Sequence, residues 1–221
     1  MYTPPPFKPD RAASLAFAEA RGFGLVCAWD GAKPIASPLP FYLSYAADGT
    51  PRAAFHLARH NPLIKLAGTS SWLLAVTGPD AYVSPDWYVS ADQVPTWLYQ
   101  AVHLTGPVRP LSDDELAVQI DTLSAKFENW LLPKKPWTSA KMTAARLEAM
   151  KKAIVGLEMT VEEVEGSFKL NQHKSETDYA AVAGGLASQT DAGAQQIAHL
   201  MREARPDAFA SEPSKLERSE P

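Results

Sequence analysis

The chain has 221 residues, 46% of them hydrophobic and 21% charged, and 21 Lys+Arg against 25 Asp+Glu give a formal charge of −4. The apolar share is enough for a full core and excludes wholesale disorder, and the acidic balance speaks against a protein built chiefly to neutralise phosphates. Apolar runs fall far short of the ~20 residues of a membrane span, and the one cysteine, Cys27, excludes a disulfide framework or a multi-cysteine zinc site. With no basic segment leading into a hydrophobic stretch at the start, the expectation is a cytoplasmic protein outside any membrane.

Pro4-Pro5-Pro6 predicts an extended lead-in, because proline fixes φ and donates to no ladder. Asp10 caps a helix over 11–21, with Leu15 and Ala18 at helical spacing and Gly22 as its stop. Residues 23–30 read as a strand, and the apolar but proline-broken stretch 33–45 as an edge or bulged strand. Asp48-Gly49 supplies a hairpin turn into the short apolar segment 52–58. Asn61 and Pro62 suit the cap and first position of a short helix at 62–68.

Residues 71–77 form a buried strand, and Leu98, Gln100, Val102 and Leu104 alternate with Trp97, Tyr99, Ala101 and His103 as a strand with two contrasting faces. Ser112 and Glu115 have capping-box spacing and open a helix with Leu116, Ile120, Leu123 and Phe127 on one stripe. The basic stretch 134–152 reads as the solvated face of a helix. Val155, Leu157, Met159 and Val161 mark another half-buried strand, Tyr179, Val182 and Leu186 a helix, and Ile197, Leu200 and Met201 a last one. Beyond Pro206 periodicity ends, which predicts a mobile tail over 206–221 behind a single domain over 1–205. Strands dominate to about 105 and helices the edges and end. The fold expected is α+β, mainly β: a small closed or split barrel with peripheral helices and a helical C-terminal end.

His56 and His60 would stand about 13 Å apart if extended, with no acidic residue between them, so no metal site is expected. No nucleophile elbow occurs, and no catalytic residue stands out. The segment from Phe55 to Ala67 places His56, Arg59, Asn61 and Lys65 around a strand end and a helix start, where free backbone amides and positive charge suit a phosphate as well as they suit an ordinary capped helix. Tyr82, Trp87, Tyr88, Trp97 and Tyr99 crowd five aromatics together, enough to wall a flat ligand or to fill a core or a dimer interface.

The words MYTPPPF, HLARHNP, GPDAYVSPDWY, VPTWLYQAVHLTG and KLNQHKS, in this order, resemble the PaiB-type FMN-binding negative transcriptional regulator family over roughly residues 1–186. The resemblance implies an FMN-binding split β-barrel, a homodimer with flavin at the subunit interface, and a redox or sensing role; if the chain is an enzyme, it is a flavin-dependent oxidoreductase. It assigns His56, Arg59, Asn61 and Lys65 to the flavin phosphate and ribityl word, Ser84, Trp87 and Tyr88 to a word near the cofactor, and Lys169 and Gln172 to a late word approaching the site. The chain departs from the family pattern at Pro38, Leu98 and His173, where the family usually carries His, Asn and Asn. Two other readings remain at this point: a DNA-binding repressor, for which 134–152 is the one candidate phosphate surface and no groove-reading helix is evident, and a dimeric scaffold that has lost its flavin.

Overall fold

The computed structural model describes residues 1–210. In chain order these form α1 (Arg11–Arg21), β1 (Phe23–Trp29), β2 (Pro34–Pro40), β3 (Tyr42–Tyr45), β4 (Pro51–Ala58), β5 (Ser71–Val83) and β6 (Thr96–Pro110). There follow α2 (Asp113–Asn129), α3 (Ala144–Lys152), β7 (Ile154–Thr160), β8 (Glu163–Lys169), α4 (Glu176–Ala187) and α5 (Ala192–Ala204). The sheet runs β2-β1-β5-β6-β7-β4-β3, with β8 paired to β6 off that path. Its registered pairs are antiparallel, as a mainly β, α+β chain with short connections requires.

The described chain divides into two compact units, one of Asp10–Val76 and Val102–Glu165, the other of Met1–Pro9, Thr77–Ala101 and 166–210. In the first, α1 starts where Asp10 Oδ1 accepts from the Ala13 N–H at 2.7 Å and stops at Gly22, whose φ of 58° is left-handed. The proline-broken stretch is two strands, not one. Phe41 is fully buried and donates its N–H to Gly22 O at 2.8 Å, so the chain leaves β2 there and re-enters the sheet as β3. β2 and β3 end the strand order, where prolines cost no ladder bond on the open side.

Alternation along β4 puts Ala53, Phe55 and Leu57 in the core, with the Phe55 ring 6.3 Å from that of the fully buried Trp72. Helix α2 opens with the full capping box of Ser112 and Glu115 and buries Leu116, Gln119 and Leu123. It lies close over β7 because Gly156 has no side chain: a Cβ there would stand 3.0 Å from Leu116 Cδ1 and 3.1 Å from Gln119 Oε1. The closest backbone approach is at Gly106 of β6, where a Cβ would sit 1.8 Å from Thr160 O. The basic stretch holds a 3-10 turn at Ser139–Lys141 and is α-helical only from Ala144, and Pro136 keeps its start out of a longer helix.

The second unit packs α4 and α5 around Tyr179, Val182, Leu186, Ile197 and Met201 against Ala81, Val83 and Leu98. Tyr179 is fully buried and donates its hydroxyl to Met201 O at 2.8 Å. The first residues of the expected tail are ordered on this core. Pro206–Phe209 forms a 3-10 turn and Phe209 packs on this core, its ring 6.1 Å from Tyr179, because an aromatic side chain gains more by burial than the turn costs to order. The rest of the expected tail, 211–221, lies outside the described residues.

Candidate functional site

Two loops of the second unit, around 88–94 and 169–174, shape a groove of about 200 Å³. The first is set by a 3-10 turn, Pro85–Trp87, whose cap Ser84 accepts from the Asp86 N–H at 3.3 Å. Tyr88 follows, buried, with its hydroxyl 2.9 Å from Asn171 Nδ2. Asp178, 5% exposed, fixes the next residues: it accepts from the Val89 and Ser90 N–H groups at 2.9 and 3.0 Å and from the Ser90 hydroxyl at 2.6 Å. Those bonds to Ser90 and Val89 hold its carboxyl at a pKa of about 2.

The second loop turns at Asn171, whose φ of 61° is left-handed. Gln172 folds back on it, accepting from the Leu170 N–H at 2.8 Å and donating to Phe168 O. Arg205, at the end of α5, donates to Lys174 O at 2.8 Å while its guanidinium lies 4.7 Å from the Tyr179 ring centroid. Thus held, the loop presents two ammonium groups. Lys169 Nζ lies 2.6 Å from Thr96 Oγ1, and Lys174 Nζ lies 2.6 Å from Gln93 Oε1 and 5.0 Å from the Tyr88 ring centroid.

Among the described residues no carboxylate lines the groove. His173, edge-on to Phe7 with centroids 5.3 Å apart, reports the local field: burial and then the Lys174 and Lys169 charges push its pKa below 6.5. Thr96, Tyr88 and Asn171 add polar groups, and Phe7 and Tyr88 add flat apolar faces. Such a donor set fits a small anion such as a phosphate group, with apolar surface from Phe7 and Tyr88 beside it. Pockets for whole drug-sized ligands run to ~300–1,000 Å³, so this groove suits the charged end only.

A second, larger pocket of the same unit, about 640 Å³, has the opposite character. Tyr82 and Trp97 meet edge-on across 6.1 Å beside Trp87, and the charged groups at its walls are Asp80 and Asp191. Trp87 rests on α4 at Gly185, where a Cβ would come within 2.7 Å of the indole.

The nine candidate residues therefore fall into two sets. Tyr88 and Lys169 line the groove, Gln172 shapes its loop, Ser84 caps the turn before it, and Trp87 belongs to the acidic pocket. The other four lie in the first unit. Arg59 donates to Lys152 O at 2.6 Å and Ile154 O at 2.8 Å, tying β4 to the α3–β7 junction. Asn61 caps the 3-10 turn Pro62–Leu66 and reaches Ser37 Oγ at 3.3 Å. Lys65 is exposed on that turn, and His56 is half-buried on the face of β4 turned away from Phe55. Of the family departures, Leu98 is core, Pro38 pairs with Leu25 on β2, and His173 stands in the groove.

Sequence reasoning missed Lys174, Thr96, Asp178 and Arg205. Ser175 and Asp178 do carry a signal, the three-residue spacing of a helix cap, which the structure confirms in the Ser175 hydroxyl accepting from the Asp178 N–H. In the basic stretch Lys134 pairs with Glu128 and Lys151 with Glu148, so part of its charge is already neutralised.

The architecture is a split β-barrel. It resembles the FAD and heme binding protein from Mycobacterium smegmatis, at 16% identity and a TM-score of 0.51 over 72% of this chain and 71% of that one. It also resembles the flavocytochrome Anf3 from Azotobacter vinelandii, at 15% identity and a TM-score of 0.54 over 72% of this chain and 67% of that one. Residues 1–163 match the family described as "Putative FMN-binding domain", and the chain belongs to that family. Its sequence is 35% identical over 205 residues to the "Protease synthase and sporulation protein PAI 2" of Bacillus subtilis, spanning 92% of this chain and 97% of that protein. Among the described residues no helix is long and apolar enough to cross a membrane.

Proposed function

We propose that the chain is an FMN-binding, PaiB-like protein that holds the flavin phosphate in the groove of Lys169 and Lys174 and acts as a redox or sensing flavoprotein with a regulatory output. The observation that carries this reading is the pair of lysines, Lys169 and Lys174, lining a groove with no carboxylate among the described residues, in a member of an FMN-binding family. Lys169 and Lys174 balance the phosphate charge, Thr96 supplies a hydroxyl, and Tyr88 with Phe7 packs apolar surface beside it. Bound FMN supplies electron-transfer chemistry that no side chain of this protein provides. The chain's own part is to bind and orient it; the Asp178 bonds to Val89 and Ser90 and the Arg205 bond to Lys174 O keep the two loops in place.

Lys65 stands without a second cation directed at it, since Arg59 already serves the carbonyls of Lys152 and Ile154. We therefore place the phosphate at Lys169 and Lys174 rather than at Lys65. The reading includes a homodimer, in keeping with a groove too small for a whole flavin. It is supported by β1, which exposes Phe23, Leu25 and Trp29 along one face, an apolar stripe suited to a second copy.

The test is the visible absorption spectrum of freshly purified protein, followed by titration of the stripped protein with FMN and with riboflavin. A flavin spectrum and a preference for FMN over riboflavin are expected. A colourless protein that takes up neither refutes the reading.

A further inference from the structure

One pocket of the first unit has no part in the reading above. It lies between the β4–β7 face and helices α2 and α3, and encloses about 210 Å³. Ile120, Trp137, Met142, Leu147, Met150 and Ile154 make its wall almost wholly apolar. Lys151 also borders it, but its ammonium is taken by Glu148 at 2.6 Å.

Ser124 and His56 are the uncharged polar residues of the wall, and the His56 imidazole is the larger of the two groups. Its Nδ1 is buried without a hydrogen-bond partner and closed to a guest, which leaves Nε2 as the ring nitrogen that can meet one. Burial holds the ring neutral, with its pKa below 6.5. His56 is registered across the ladder from Gly156, so a small residue, not a polar side chain, stands beside it on the next strand. A polar atom at an apolar wall costs free energy unless a water or a guest matches it.

We propose that this pocket binds a neutral single-ring aromatic molecule bearing one hydroxyl group, a phenol, with the hydroxyl meeting His56. Size sets the ring count: an apolar cavity of roughly 150 Å³ accepts benzene, so 210 Å³ leaves room for one small substituent and none for a flavin. The wall sets the chemistry. Trp137 and the thioethers of Met142 and Met150 favour an aromatic guest, because soft polarisable sulfur packs well against ring edges. Among the described residues no free cation stands at the wall, which disfavours an anionic guest. A hydroxyl donates and accepts, so it matches a neutral imidazole nitrogen in either tautomer.

The experiment compares phenol with toluene, its near-isostere without the hydroxyl, by calorimetric titration of the full-length protein. In parallel, methyl-labelled methionine is followed by NMR; the five methionines include Met142 and Met150 at the pocket. Saturable one-to-one binding of phenol is expected, with toluene weaker by roughly two- to tenfold, the worth of one net hydrogen bond. Only the Met142 and Met150 methyls should shift. His56→Leu should erase the preference for phenol; if that variant fails to fold, the contrast on the unaltered protein decides alone. Equal binding of the two compounds, no saturable phenol binding, shifts confined to the other methionines, or a preference that survives His56→Leu overturns the proposal. No arm contains FMN, so the outcome is independent of the flavin reading.

Discussion

Replacing Lys169 by Gln separates the proposed phosphate site from the fold. The side chain keeps a polar end but loses its charge, and its one hydrogen bond, to Thr96 Oγ1 at 2.6 Å, is partly replaceable by water. Hydrogen bonds involving a charged group contribute about 1.5–3 kcal/mol. At 1.4 kcal/mol per tenfold change, the variant should lose roughly ten- to a hundredfold in FMN affinity. Riboflavin ends in a hydroxyl where FMN carries its phosphate, so its affinity should hold within a factor of about two or three, well under the energy of one charged contact. Lys174→Gln should behave alike, and the double variant should lose less than the sum, because two cations on one dianion are coupled. Fluorescence titration of stripped protein gives both affinities, and thermal melting shows whether folding is intact. His173 is an internal reporter: with Lys174 removed, one of the charges depressing its pKa is gone, so its imidazole should titrate at higher pH by NMR. If FMN and riboflavin weaken equally, or FMN affinity is unchanged, the phosphate is not held by these lysines.

His56, His103 and His173 are all held below 6.5, each chiefly by burial, so the folded protein binds fewer protons than the unfolded chain. Stability should therefore be full above that pH and fall as pH drops through 6.5 towards the depressed folded values; urea unfolding at pH 7.5 and 5.5 checks the sign, and a rise on acidification contradicts it. Gly106→Ala should prevent normal folding, since its Cβ would stand 1.8 Å from the Thr160 carbonyl oxygen in the middle of the sheet; a soluble variant with an unchanged melting temperature would show that β6 and β7 can part. Leu25→Lys puts a charge in the exposed stripe of β1 and should shift sedimentation from a dimer to the 24.0 kDa monomer, with little loss of stability in the monomer itself. A parent protein that sediments as a monomer at micromolar concentration removes the dimer from the proposal.

Elements whose logic is local were legible from the residues alone. The capping box of Ser112 and Glu115, the Asp10 cap with its Gly22 stop, and the two faces of β6 follow from side chains a few positions apart, and each stands where the sequence put it. β8 was not foreseen, because its buried residues are Gly166 and Ser167, which carry no hydrophobic alternation. The break at Phe41 depends on a bond to Gly22, and the role of Arg59 on carbonyls about ninety residues away, neither of which a local pattern records. For the candidate site, family words located Tyr88 and Lys169 but treated Arg59 and Asn61 as binding groups when the structure also gives them backbone duties. Asp178 escaped notice because a carboxylate beside a basic groove looks like an ordinary helix cap until Val89 and Ser90 are seen to depend on it.

Arg205 gives the last helix a remote hold on chemistry it does not touch. Its side chain is the fastener between α5 and the strand exit carrying Lys174. Cutting the chain just before this residue would leave the sequence matched to the FMN-binding family, which ends at 163, entirely intact. Yet the basic loop would lose its anchor, and with it the spacing of its two charges. On the proposed reading, specificity for an anion can thus drift through changes in a terminal helix while the sequence matched to the family stays the same, which separates the evolution of what is bound from the evolution of what folds.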